Sequence, residues 1–541
     1  MMPNGSLPFV NPATGEQFGS LPMSTPEEVV QAVEQMRQNA ARWGQTPPKE
    51  RARILARLQQ VLIDYADEIT RVVNLDTGKS RQDALSELFL VVDKLNAYRR
   101  HAPQWLKPER VPPGIYVFKR YHVEHRPYGV VAVIGPWNLP LDLTVPPVYA
   151  ALLAGNTVVL KPSEVTPAVG QLIERLFQSV PELSPFVRVI HGDGSVGAAL
   201  VDARPDLVFL TGSTATGRKV AEATAKNLTP FIYELGGKDP MIVLEDADVA
   251  KAAHWGVWGA FFHSGQTCVS VERVYVVEEV YDAFVRAAVE ETRRLRQGYS
   301  PEKENPNDIG SLTFERQARI IESHIQDALA KGARVLVGGQ REGLFMEPTV
   351  MVDVDHSMLL MQDETFGPIM PIMKVRDEEE AIRLANDSYY GLSASVWSED
   401  LDRARRVAER LEVGSVVVND TIAHYAVSAL PFGGVKQSGT ARTHGKQDVL
   451  QFTQTKAYGI GGTPVFLDVA AMLRQPNNYG LMSAIFHLLF GVTPRQRLRP
   501  VGQAVAEAGE AVQRSPKRAA ALAGVAAGLA AVAVSLLRSR D

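Results

Sequence analysis

The sequence predicts an α/β fold built on parallel sheets, and three observations predict it. Short apolar runs recur at "VVAVIG" (130–135), "NTVVLK" (156–161), "FVRVIHG" (186–192) and "DLVFLTG" (206–212). Helical patterns separate them: in "PAVGQLIERLFQSV", Val169, Leu172, Ile173, Leu176, Phe177 and Val180 fall on one face. A second strand–helix series runs from about 240 to 430. Strands that are apolar throughout need cover on both faces, and the intervening helices supply it. Ligands of such sheets usually bind at the carboxyl ends of the strands.

Ahead of the first strand lie three helical stretches. "STPEE" opens one, with Thr25 as cap, Pro26 in the first turn and Glu28 completing a capping box. Two more follow around 48–74 and 81–101. "ERVPPGIYVFKRYHVEHRPYG" then alternates as an extended hairpin, with Pro112-Pro113 breaking what precedes it. After "QFTQTKAYG" the pattern loosens, and 461–541 reads as an appendix.

Length and charge narrow the classes. A chain of 541 residues exceeds one compact core and predicts two to four domains. The net charge of -4, with no long basic run in the first 500 residues, gives no reason to expect nucleic acid. A single cysteine excludes an intrachain disulfide, and any metal site would have to use His and carboxylates; none is predicted. "MMPNGSLPFV" lacks the basic start and apolar run of a secretory signal, so the expected location is cytoplasmic.

That cysteine, Cys268, follows the polar, flexible Ser264-Gly265-Gln266-Thr267, a setting for a thiol that something can reach. Five further stretches pair a plain reading with a sharper one. "GPWNLP" (135–140) is a Pro-rich turn, or a strand end presenting the Asn138 amide to an oxyanion. Lys161 and Glu164 in "LKPSEVTP" are a surface ion pair, or the two partners of a ribose diol. "FLTGSTATG" (209–217) is a glycine turn, or a phosphate site in which Gly212 permits close approach and Ser213 lies near free N–H groups. The literal G-x-G-x-x-G at "GDGSVG" (192–197) lacks the acidic residue about 20 positions on that would make it a dinucleotide fingerprint. Glu234 in "YELGGKDP" is a solvated charge, or a general base whose glycine neighbours leave room for water. "DETFGPIMP" (363–371) carries Glu364 and Phe366 at an apparent strand end.

Together these stretches, in this order, resemble the aldehyde dehydrogenase superfamily over roughly residues 8–460. The resemblance rests on "PWNLP", "KPSE", "FLTGSTATG", "ELGGKDP", "GQTC", "ETFGP" and "LPFGGVKQSG" (430–439). It implies a Rossmann-like cofactor domain (1–111 and 130–233) and a second α/β catalytic domain (234–433). It also implies a β oligomerisation arm (112–129 and 434–460) and a homodimer or homotetramer. The hairpin and a strand near 447–456 are the oligomerisation elements by that pattern. By resemblance Cys268 is the nucleophile that attacks an aldehyde, Asn138 and the Cys268 N–H hold the oxyanion, and Glu234 activates water. Lys161, Glu164, Gly212, Ser213, Trp137, Glu364 and Phe366 match cofactor-binding positions. A carboxylate at Glu164 repels a 2′-phosphate, which favours NAD while NADP stays open.

The appendix adds a membrane question. "NNYGLMSAIFHLLFGV" (477–492) is apolar at helical spacing, and 519–537 is an uncharged 19-mer bracketed by Lys517-Arg518 and Arg538/Arg540. As a helix the latter spans about 28 Å, against a hydrocarbon core of about 30 Å. It carries a GxxxG pair at Gly524 and Gly528, yet nine of its residues are alanine, which equally suits a soluble packed helix. The layout is similar to that of fatty aldehyde dehydrogenases with a C-terminal anchor. It predicts a medium- or long-chain aliphatic aldehyde and a tail anchored facing the cytoplasm. The alternatives are a CoA-acylating or semialdehyde-specific dehydrogenase, a cysteine hydrolase pairing Cys268 with His263, and a non-catalytic membrane scaffold. Acylating relatives generally lack the base at Glu234, the hydrolase leaves the ribose positions unexplained, and intact Cys268, Glu234 and Asn138 count against the scaffold.

Overall fold

The four apolar runs become neighbouring strands of one sheet. A computed structural model describes residues 5–114, 119–462, 474, 479–493, 495–497 and 499. Strands β1 (Val130–Ile134), β2 (Thr157–Lys161), β3 (Val187–Val189), β4 (Leu207–Gly212) and β5 (Phe231–Leu235) pair in the order β3-β2-β1-β4-β5. All are parallel. The chain steps outward from β1 to β3 and returns at β4 on the other side. The β1/β4 junction is therefore a switch point, where loops diverge and leave a crevice. Every residue of β1 and β2 is buried, which their uniform apolarity requires.

The second series forms a seven-stranded sheet. Its strands are β6 (Asp239–Val243), β7 (Val271–Val277), β8 (Arg334–Val337), β9 (Thr349–Val352), β10 (Ile369–Val375), β11 (Ser393–Trp397) and β12 (Ser415–Val418). They run β8-β9-β10-β7-β6-β11-β12, and the β8/β9 pair is antiparallel while the others are parallel. Each sheet has its own apolar core, with Val133, Leu160 and Phe209 in the first and Ile242, Tyr275 and Val396 in the second. This is the mixed α/β architecture that the sequence predicts.

Local signals hold. The first helix, Pro26–Gln45, starts at the capping box: Thr25 Oγ1 accepts from the Glu28 N–H at 3.2 Å, and Glu28 returns a carboxylate oxygen to the Thr25 N–H at 2.8 Å. Such a cap contributes about 1 kcal/mol. The stretch around 48–74 is two helices, Pro48–Asp64 and Ala66–Thr77, because Tyr65 leaves helical geometry at ψ 13°. The third stretch runs Arg81–Trp105.

These elements lie in one unit, the described residues of 1–106 with Arg126–Gln454; the described residues of 107–125 and of 455–541 form a second. A three-stranded sheet joins Thr453–Ile460, Arg120–Pro127 and Glu109–Val111, the last two pairing as the antiparallel hairpin expected. The 447–456 stretch is not a strand throughout: helix Gly445–Leu450 precedes the strand that starts at Thr453. The apolar stretch at 477–492 forms helix Tyr479–Phe490, exposing Tyr479, Met482, Phe486 and Phe490. Segment 519–537 lies outside the described residues. Among the described residues no helix is long and apolar enough to cross a membrane.

Candidate active site

The site assembles where the strands of the first sheet end and β7 of the second begins. Asn138 lies on the loop after β1, Lys161 ends β2, Gly212 ends β4 and Glu234 lies near the end of β5. Cys268 occupies the turn just ahead of β7.

Cys268 is buried, at 8% exposure. The polar loop around it pointed to an open thiol, but the thiol joins an apolar cluster with Leu139, Leu143, Val269, Leu392, Tyr425 and Phe432. Leu90 and Ile422 pack against that cluster. Gln266 and Ser264 of the loop turn inward and hold it by hydrogen bonds. Gln266 Oε1 accepts from the Thr313 N–H at 3.0 Å, and Ser264 Oγ donates to the Gly310 carbonyl at 3.0 Å. Burial pushes the thiol up, and the carboxyls of Glu234, Asp239 and Glu364 push it further. The Cys268 N–H pulls in the opposite direction.

Asn138 is brought to this loop: its Nδ2 donates to the Gln266 carbonyl at 3.1 Å. Its own carbonyl accepts from Lys79 Nζ at 2.8 Å, and Lys79 pairs with Glu87 at 2.9 Å. Glu87 also accepts from the Leu141 and Asp142 N–H groups, at 2.7 and 3.1 Å. A buried ion pair thus sets the backbone that carries Asn138, and the sequence reading missed it. Nothing local marks Lys79 or Glu87, which precede the motif by many residues.

Glu234 is 3% exposed, and its Oε1 meets no hydrogen-bond partner. Burial raises its carboxyl to about 8; the Cys268 thiol pulls against this and Asp239 adds to it. A carboxyl poised there can exchange a proton near neutral pH. The glycines after it have different neighbours. A Cβ on Gly237 would lie 2.6 Å from the Cys268 carbonyl oxygen, and one on Gly236 would lie 2.3 Å from Glu364 Oε2. "ELGG" therefore lets the thiol loop and the Glu364 carboxyl close onto one strand end.

Glu364 does not sit at a strand end as the sequence suggested. It lies in the turn between helix Leu359–Gln362 and β10, and accepts from the Gly237 N–H at 3.1 Å. Glu272 fixes that turn by accepting from the Thr365 and Phe366 N–H groups, each at 2.8 Å, and is itself paired with Lys238. Phe366 has φ 53°, and its ring meets Trp137 edge-on at 5.4 Å. Glu272 was also missed, although it lies four residues beyond the thiol.

No ligand defines the cofactor site, so the residues must show whether a dinucleotide fits. Lys161 Nζ pairs with Glu164 at 3.1 Å at the end of β2, a cation and a carboxylate side by side as a diol requires. Ser213 caps the 12-residue helix Thr214–Ala225 and is exposed, and a helix start of this kind suits a phosphate. Gly236, where a Cβ would collide with the Glu364 carboxylate, lets that carboxyl approach the end of β5. These features fit a dinucleotide laid across the switch point.

A thiol beside a carboxyl poised to exchange a proton can serve nucleophilic catalysis. The chain belongs to the aldehyde dehydrogenase family, whose profile matches residues 2–458. It is 44% identical over 451 residues to a Methylomonas protein named 4,4'-diapolycopene aldehyde oxidase, covering 83% of this chain and 84% of that one. It is 37% identical over 469 residues to the NADP-dependent succinate-semialdehyde dehydrogenase of Deinococcus radiodurans, covering 84% and 94%. Among solved structures, Escherichia coli lactaldehyde dehydrogenase superposes with a TM-score of 0.81 at 30% identity, covering 85% of this chain and 96% of that one. Staphylococcus aureus betaine aldehyde dehydrogenase, solved with NAD+, gives 0.81 at 30% identity, covering 85% and 94%. The protein is an aldehyde dehydrogenase that uses NAD or NADP.

Proposed function

We propose that the protein oxidises a medium- or long-chain apolar aldehyde to the carboxylic acid through Cys268. The apolar lining of the thiol carries this reading: Leu139, Leu143, Leu392, Tyr425 and Phe432, with Leu90 and Ile422 behind them. A semialdehyde needs a cation for its carboxylate. Lys94, the buried cation beside Tyr425, is already taken by both oxygens of Asp142 at 2.9 Å. The Methylomonas relative named for a diapolycopene aldehyde, a polyene, supports an apolar substrate. The Deinococcus relative makes succinate semialdehyde the alternative to test.

In this reading Glu234 takes the thiol proton, and the sulfur attacks the aldehyde carbon. The Asn138 amide and the Cys268 N–H receive the oxyanion, donors each worth on the order of 10²–10³ in rate. A nicotinamide held beside Trp137, Glu364 and Phe366 would supply the hydride acceptor. Cys268 is then left as a thioester, and Glu234, once it has released the thiol proton to solvent, removes a proton from the water that attacks it. The carbon–sulfur bond breaks, the acid departs, and Glu234 returns that proton to the Cys268 thiolate. Lys161, Glu164, Gly212 and Ser213 hold the adenosine side of the cofactor, while Trp137, Glu364 and Phe366 hold the nicotinamide side. Residues 1–111 and 130–233 act as the cofactor domain, 234–433 as the catalytic domain, and 112–129 with 434–460 as the arm of a homo-oligomer. Segment 519–537 serves as a membrane tail, consistent with a substrate that partitions into bilayers.

The deciding experiment measures NADH formation with short, medium and long aliphatic aldehydes and with succinate semialdehyde, using Cys268→Ala as control. Turnover that rises with chain length and vanishes in the variant supports the proposal; preference for the semialdehyde overturns the substrate class. Deleting 515–541 should move the protein from the membrane to the soluble fraction, and an unchanged distribution would sink the anchor.

A further inference from the structure

The G-x-G-x-x-G stretch at 192–197 has no part in the reaction proposed above, yet its acidic residue, Asp193, lies beside the cofactor crevice. The stretch follows β3, which pairs with β2, and it opens helix Gly194–Asp202. The first turn of that helix rests on Lys161 at the end of β2: a Cβ on Gly197 would lie 3.5 Å from Lys161 Cδ. Asp193 caps the same turn. Its Oδ1 accepts from the Ser195 N–H at 2.9 Å and from the Ser195 hydroxyl at 2.6 Å. A helix start that could receive a phosphate thus already holds a carboxylate of its own. The helix behind Ser213 differs, because its cap is neutral.

Lys161 therefore stands between two carboxylates. Its Nζ, a donor of three bonds, gives two among the described residues, to the Pro162 carbonyl and to Glu164, each at 3.1 Å. One N–H is left for a ribose hydroxyl. The Glu164 side chain is 36% exposed, Asp193 is half-buried, and Gly194 and Ser195 are exposed. Bonds from Ser195, helped by Lys161, hold the Asp193 carboxyl below its ordinary value, so it is ionised at neutral pH.

We propose that Asp193 is a second specificity-determining carboxylate for the cofactor: with Glu164 it admits the ribose diol of NAD beside Lys161 and repels the 2′-phosphate of NADP. This rests on the reading of Lys161 and Glu164 as the ribose partners. Two carboxylates against one ammonium leave that spot negative before any ligand arrives. A diol adds no charge, whereas a phosphate monoester adds about −1.5 to −2. For charges about 7 Å apart in water, one carboxylate against such a phosphate changes affinity about fivefold.

The test measures binding to the full-length enzyme by titration calorimetry. NAD is compared with NADP, and AMP with adenosine 2′,5′-bisphosphate, a pair that differs only in the ribose 2′-phosphate. Asp193→Asn removes the charge and keeps the cap, because asparagine caps helices as well as aspartate. It should tighten NADP and the bisphosphate about fivefold and leave NAD and AMP within about twofold. The difference from wild type should shrink as salt rises from about 0.05 M to about 1 M, where the screening length falls to about 3 Å. Equal changes for both members of each pair would mark a structural role and overturn the proposal. So would an unchanged preference in Asp193→Asn while Glu164→Gln shifts it. If neither variant shifts it, the ribose reading of Lys161 and Glu164 fails and takes the proposal with it.

Discussion

A Cβ on Gly265 would lie 2.1 Å from the carbonyl oxygen of Gly367, and Gly265 has φ +68°. This contact seats the loop that carries Cys268 on the turn that carries Glu364 and Phe366. Glycine is required twice over, for the left-handed backbone and for the close approach. Gly265→Ala should therefore destabilise the fold by about 2–4 kcal/mol and misplace the thiol. Urea unfolding measures the first and the NADH burst the second. Wild-type values for both would show that the loop yields.

Glu234 is raised to about 8 because it is buried. Hydrolysis of the acyl-enzyme should accelerate as pH rises through that region, where the carboxylate forms. Glu234→Gln should slow hydrolysis by about 10²–10⁴ and abolish the pH dependence. Rapid-quench measurement across pH tests both, and a variant with the same pH profile would assign the base elsewhere.

The same shift sets a stability trend of defined sign. Burial raises Glu234 and Asp239 to about 8 and Asp76 to about 7, all above ordinary carboxyl values. The folded state thus holds protons that the unfolded chain releases. This contribution is fully present below about pH 4 and is lost as pH climbs through about 7–8. Over that window these groups should lower stability. In Glu234→Gln the decline of Tm with pH should be shallower, as calorimetry from about pH 5 to about pH 9 would reveal.

Lys161 and Glu164 share one contact at the end of β2, and Glu164 is partly exposed. Removing the carboxylate charge relieves repulsion of a 2′-phosphate and leaves Lys161 to attract it. Glu164→Gln should raise the NADP-to-NAD ratio of kcat/KM by about tenfold, or ~1.4 kcal/mol. Steady-state kinetics with both cofactors checks this; an unchanged ratio would place discrimination outside this pair.

Much of the molecule was legible beforehand because its signals are local. Uniform apolarity marked β1, β2 and β4, and Thr25 with Glu28 marked the first helix to the residue. Asn138, Glu234 and Cys268 stood out through polar or glycine-rich neighbours. Tyr65, which breaks one helical stretch in two, and the turn position of Glu364 carried no such signal. Their conformations answer to packing rather than to neighbours in sequence.

The sequence by itself determined the family, the parallel α/β layering and the identity of the chemical groups, since apolar period and motif order survive without coordinates. Only the tertiary structure decided that the thiol is buried among apolar side chains. It also brought Lys79 and Glu87 beneath Asn138 and Glu272 beneath Phe366. The reason is physical. A carboxyl's basicity, a cavity's size and an ion pair's partner depend on distance and desolvation between segments far apart in the chain, and no local pattern encodes either quantity.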